Sequence, residues 1–200
     1  MTTTPPAAPL AGILLAAGAG TRFGGPKALA ATPEAGSWLA RAVRLLLDAG
    51  CAPVVVVLGA AADDARRLLP EDPRVVPVVA ERWADGVAES LRAALAALAG
   101  VEGPVGALVT LVDLPRLSPE ALARVAGGTV GPSSLRRAVY GGTPGHPVLL
   151  GRDHWEPLSA GLSGDVGAGP YLRANGAEAV DCTGLGGDED VDLAPRRGPA

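Results

Sequence analysis

The chain has 200 residues and a formal charge of −4, with 48 % apolar and 3 % aromatic residues. That length suits one domain, and the scattered charges of both signs exclude the basic face and stacking aromatics that a nucleic-acid partner requires. The apolar runs are far too short to span a bilayer, so no membrane partner is expected, and the core has to be built from Ala, Val and Leu.

Residues 1–9 contain no basic segment followed by an apolar run. They read as a disordered tail of a cytoplasmic protein rather than a signal peptide. Cys51 and Cys182 lie far apart beside apolar runs and read as reduced core residues. Residues 10–15 form a short apolar run, predicted as a buried strand, which ends in a loop containing Gly18, Gly20, Gly24 and Gly25. Residues 37–49 place Leu39, Val43, Leu46 and Leu47 at helical spacing, with Gly50 as the stop. The β-branched run 54–58, between Pro53 and Gly59, predicts a central strand. Residues 60–69 read as a helix stopped by Pro70, and 75–79 as a third strand. Residues 86–99 put Val87, Leu91, Leu95 and Leu98 on one helical face, closed by Gly100. Residues 105–112 are a fourth strand, after which Ser118 caps and Pro119 opens another helix.

This alternation predicts an α/β, Rossmann-like, doubly wound and mostly parallel sheet with helices on both faces. Residues 137–140 and 147–150, flanking GGTPGH, predict a small antiparallel insertion. A helix near 171–174 and a strand near 177–182 complete a single domain over 10–185. The acidic, Gly-rich segment 186–200, with Asp188, Asp190 and Asp192, reads as a solvated tail.

Of the 17 basic residues only Lys27 is a lysine, and it sits in that first Gly-rich loop. A compact ammonium reaches into a crowded pocket where the Arg fork does not. Backbone N–H groups of a Gly-rich loop after a strand cradle phosphates. In open α/β sheets ligands bind beyond the carboxyl ends of strands, and Asp113 follows the fourth strand there. A carboxylate in that place suits Mg2+, a hard cation that takes one or two carboxylates plus phosphates. The loop fails the Walker pattern, because Pro26 and Ala28 flank Lys27. It also fails the dinucleotide fingerprint, which needs Gly at Phe23 and an acidic residue where Gly59 stands.

The segments LLAAGAGTRFGGPKAL, WADGVAESLRAAL, LVTLVDLPRLSPE, GHPVLLGR and GDVGA resemble, in order, the MobA-like nucleotidyltransferases, which attach CMP or GMP to molybdopterin. The resemblance spans roughly residues 12 to 168. It implies an enzyme that binds an NTP and Mg2+ and transfers NMP to a phosphate-bearing acceptor, with transient contact to molybdenum enzymes or their chaperones. The implied nucleotide site comprises Leu15, Ala16, Ala17, Gly18, Gly20, Thr21, Arg22, Lys27, Gly59 and Ser90, with Lys27, Arg22 and Asp113 catalytic and Asp113 the metal ligand. His146 and Asp165 fall on the acceptor side. Leu15-Ala16-Ala17-Gly18 and Gly145-His146-Pro147-Val148 are closer to the cytidylyl branch, and the Ala17 methyl is expected to favour a pyrimidine. Two departures stand out: the family's GMxxSL appears as Gly86-Val87-Ala88-Glu89-Ser90-Leu91, with Val87 in place of Met, and Gly169 replaces the Arg of GDxGAR, which leaves the acceptor open. Some members of this sequence group carry the name nicotine blue oxidoreductase, so a nicotinamide-dependent oxidoreductase is one alternative. A nucleotide-binding module without turnover is another.

Overall fold

The computed structural model describes residues 8–33, 36–188 and 190–191. The expected tails therefore lie, at 1–7 and 192–200, outside the described residues. Nine strands and six α-helices are assigned among the described residues. Strand β1 (Leu10–Ala16) is followed by the short pair β2 (Ala31–Thr32) and β3 (Gly36–Ser37), then helix α1 (Trp38–Asp48). Next come β4 (Val54–Leu58), α2 (Ala62–Arg66), β5 (Val75–Val79), α3 (Val87–Ala99), β6 (Gly106–Leu111) and α4 (Pro119–Ala126). The chain closes with β7 (Leu135–Tyr140), β8 (Thr143–Gly151), α5 (Trp155–Gly161), α6 (Gly169–Ala174) and β9 (Glu178–Asp181).

The seven-stranded sheet has the order β5-β4-β1-β6-β8-β7-β9. Only β8 runs against its neighbours; β1, β4, β5 and β6 are mutually parallel, and β9 is parallel to β7. The antiparallel hairpin expected around GGTPGH forms as β7-β8 and continues the main sheet, because Val148, Leu149 and Leu150 are buried and pair with β6. The small β2-β3 sheet has no counterpart in the sequence reading. Pro77 sits in β5, at the sheet edge, where its missing N–H costs no ladder bond.

Alternate strand residues face opposite layers. Leu14 and Val56 pack with Leu39, Val43 and Leu46 of α1 and Leu122 of α4. Ile13 and Val55 pack with Leu91, Leu95 and Leu98 of α3 and Leu158 of α5. Full burial of one such Leu stabilises the fold by about 1.5–3 kcal/mol, and these two apolar layers hold helices on both faces. Ser37 and Ser118 accept from the backbone N–H groups of Ala40 and Ala121, which starts α1 and α4, the latter at the cap expected for it. Helix α2 is shorter than the 60–69 pattern: it ends at Arg66, and turns rather than further helix carry the chain to Pro70.

Candidate active site

Strands β4 and β5 lie on one side of β1, and β6 lies on the other. Successive connections therefore leave β1 and β6 in opposite directions, and a crevice opens beyond their carboxyl ends. A cleft of about 510 Å3 occupies this crevice. It gathers Leu15, Ala16, Ala17, Gly18, Gly20, Thr21, Lys27, Ser90, Asp113 and Asp165 from four separate stretches of sequence.

The loop after β1 folds back on itself. Gly20 has φ +58°, and its carbonyl accepts from the N–H groups of Gly24 and Gly25. A Cβ at Gly20 would lie 2.0 Å from the Gly25 carbonyl oxygen, so only glycine allows this close return. The return brings Lys27 to the end of β6, where its Nζ donates to Asp113 Oδ2 at 2.8 Å. Both side chains are largely enclosed, at 13 % and 17 % exposure. The other carboxylate oxygen, Asp113 Oδ1, is buried and has no hydrogen-bond partner among the described residues. A buried, unsatisfied anionic oxygen at the floor of a cleft fits a cation ligand. A single carboxylate in this position fits Mg2+, which completes its shell with water and substrate oxygens. No group of three or more His, Cys, Asp or Glu among the described residues forms a preassembled metal cage.

The opposite wall is made by Trp83, Ala84, Gly86 and Val87, which the sequence reading did not assign to the site. A 3-10 turn over Trp83–Asp85 leads into α3 and sets this wall. The turn holding Asp165 is tied to it, since Ala88 N–H donates to the Gly164 carbonyl at 3.1 Å. The WADG run ahead of an apolar helical face was the available signal.

Three expected residues stand outside the cleft lining. Gly59 lies behind the loop: a Cβ there would come within 2.6 Å of the Ala17 carbonyl oxygen and of Trp83 Cγ. Its place in the fold is to let the loop, the end of β4 and Trp83 close together. Arg22 is exposed on the outer part of the same loop. His146 is on β8 and lines two neighbouring cavities. Burial first, and then the Arg137 charge, push its imidazole down to about 4, so it is neutral at pH 7. Ala17 is 4 % exposed and packs with the α3 layer, so its methyl offers little surface to a base. Arg92, two residues after Ser90 on α3, bonds Glu89 and donates to the Leu162 carbonyl at 2.7 Å. The segment expected as a solvated tail returns to the site as far as Val191, whose N–H donates to the Asp113 carbonyl at 3.1 Å.

The profile of the MobA-like NTP transferase domain matches residues 12–180. The chain belongs to that family. Within it, the chain is 34 % identical to a nicotine blue oxidoreductase of Paenarthrobacter nicotinovorans, over 90 % of this chain and 91 % of that one. It is 38 % identical to a probable molybdenum cofactor guanylyltransferase of Rhodopirellula baltica, over 61 % of this chain and 57 % of the relative. Among solved structures, Rv0371c of Mycobacterium tuberculosis H37Rv superposes with a TM-score of 0.77 at 29 % identity, covering 94 % of both chains. A manganese complex of Rv0371c superposes at 0.65, with 26 % identity over 88 % of each chain. That complex points to divalent-metal use among these NTP transferases, in line with the unsatisfied Asp113 oxygen. No helix among the described residues is long and apolar enough to cross a membrane.

Proposed function

We propose that this chain is a Mg2+-dependent nucleotidyltransferase that moves NMP, foremost CMP from CTP, to the phosphate of a small acceptor of the molybdopterin type. The observation that carries the reading is the meeting of Lys27 and Asp113 at the switch point, with the second Asp113 oxygen buried and unsatisfied. An oxygen of the acceptor phosphate attacks the α-phosphorus, the bond to the bridging oxygen of the β-phosphate breaks, and pyrophosphate leaves. The attacking oxygen is already anionic, so neither a protein nucleophile nor a strong base is needed. The chain's own candidates support this: the Cys51 thiol is pushed up to about 12 by burial, and the His146 imidazole is neutral and outside the cleft lining.

Catalysis is then positioning and charge neutralisation. Lys27 exchanges part of its Asp113 contact for phosphate oxygens, and the loop N–H groups from Ala17 to Thr21 cradle them. Arg22 supplies a second cation from the outer part of the loop. Asp113 is the residue that would hold the metal, which supplies Lewis-acid stabilisation of charge on the phosphates. Each such preorganised group contributes about 3–4 kcal/mol to the transition state. Ser90 and Asp165 bound the cleft on the far side, and His146 faces the acceptor.

The choice of CTP rests on the resemblance of Leu15-Ala16-Ala17-Gly18 and Gly145-His146-Pro147-Val148 to the cytidylyl branch. A pyrophosphate-release assay with CTP, GTP, ATP and UTP, with and without Mg2+, and with molybdopterin as acceptor, tests the reading. No release with any NTP refutes it. The relative named nicotine blue oxidoreductase favours a second reading, hydride transfer from a reduced nicotinamide to a quinoid dye. Loss of the NADPH absorbance band with such a dye, and no pyrophosphate release, would select it.

A further inference from the structure

A second cavity of about 290 Å3 adjoins the cleft and shares Leu15, Val87 and Leu111 with it. Its body is apolar, built from residues such as Val109, Val148 and Leu172, with Arg137 and His146 as its polar side chains. Several arginines are ion-paired, among them Arg67 with Asp64, Arg74 with Asp72, Arg124 with Glu120 and Arg136 with Glu178. Arg137 and Arg173 are not. Among the described residues neither forms an ion pair, and Arg137 donates to the Gly145 carbonyl at 3.4 Å. The two guanidinium groups nevertheless converge. A Cβ at Gly169 would lie 3.7 Å from Arg173 Nη1 and 3.8 Å from Arg137 Nη1.

Burial, and then the Arg173 charge, hold Arg137 below the usual guanidinium range. Asp188 and Asp190 line a further hollow of about 410 Å3 on another side of Arg137 without pairing with it. Two forks held near one point, with no carboxylate between them, are arranged for an anion that accepts from both. The neutral imidazole of His146 adds a hydrogen-bonding group and no third charge.

We propose that Arg137 and Arg173, converging at Gly169, form the anion-binding end of an acceptor cavity that takes a phosphomonoester on an apolar body. Gly169 leaves the space open. Its missing side chain is what lets the anion reach both forks. The cavity abuts the cleft through Leu15, Val87 and Leu111, so a molecule seated there lies alongside the bound nucleotide. Naming the ligand as the acceptor rests on the transferase reading; the anion site itself does not.

The test is calorimetric titration of phenyl phosphate into the full chain without nucleotide, with a melting curve for each variant. Wild type and Lys27→Ala should bind the probe alike. Arg137→Gln and Arg173→Gln should each weaken binding about tenfold, the loss of one charge-assisted hydrogen bond. Gly169→Glu places a carboxylate within reach of both forks and should abolish binding while raising the melting temperature. If Arg137→Gln fails to fold, the exposed Arg173 and Gly169→Glu still decide. Absence of binding in wild type overturns the proposal. So does binding that Lys27→Ala removes and the arginine variants leave intact, because the probe then sits on the phosphate loop. Binding that follows the arginines, in a protein that releases no pyrophosphate from any NTP, upholds the anion site and refutes the transferase reading.

Discussion

Removing one partner of the Lys27–Asp113 pair should cost both stability and turnover, and the size of the stability loss follows from the geometry. The bond is 2.8 Å long and joins side chains that are 13 % and 17 % exposed, so solvent screens it far less than a surface pair. A hydrogen bond between charged groups in such a setting contributes about 1.5–3 kcal/mol. For a chain of this size each kcal/mol moves the midpoint by about 2–4 °C. Asp113→Asn and Lys27→Ala should therefore each melt roughly 3–12 °C below wild type in metal-free buffer. The double variant should lose less than the sum of the two, with a coupling energy of about 0.5–3 kcal/mol. Thermal melts by circular dichroism across the four proteins complete the cycle. Strictly additive losses would show that the contact carries no energy, and the assignment of the cleft floor would fall with it.

Metal response should vanish in Asp113→Asn: wild type bound to CTP should gain melting temperature on Mg2+ titration, and the variant should not. A variant that titrates like its parent makes Asp113 a turn residue. Gly59→Ala should displace Trp83 and the Ala17 carbonyl, lowering kcat/KM for the nucleotide with a loss of several degrees in melting temperature; unchanged kinetics would refute the supporting role. Wild type should use CTP better than GTP in kcat/KM, as the resemblance to the cytidylyl branch implies, and equal values remove the cytidylyl assignment. His146 titrates near 4 in the fold against 6.5 unfolded, so the unfolded chain binds more protons between those values. The resulting stability is fully present above about pH 6.5 and is lost as pH falls towards about 4. His146→Gln should flatten that part of the urea-midpoint profile, and a slope unchanged by the substitution refutes the shift.

Much of the sheet was legible because local signals agreed with one another. Val54 to Leu58 is β-branched between Pro and Gly, and Ser118 caps where Pro119 opens its helix. The Gly-rich turn that carries Lys27 to the cleft was legible too, because a single lysine among glycines is a local pattern. What sequence hid was contact at a distance. Lys27 and Asp113 are 86 residues apart, and nothing near either one announces that they touch. The convergence of Arg137 and Arg173 at Gly169 is hidden for the same reason. Helix α5 escaped notice because Trp155–Gly161 is two turns long and contains Pro157, too short for a periodic face to show. Trp83 was missed because a 3-10 turn has no apolar periodicity, and its place in the site depends on Gly59 leaving room behind it. Ala17 misled through burial: its backbone shapes the loop while its methyl faces the core.

The enclosed amine of Lys27 is also the chain's sole side-chain amine. An acylating reagent at mildly alkaline pH meets one side-chain amine along this sequence. Covalent labelling therefore reads the state of the cleft directly by mass spectrometry, with no engineered tag. Mass added at Lys27 marks an accessible floor, and protection by a bound triphosphate marks occupancy, residue by residue and without any turnover.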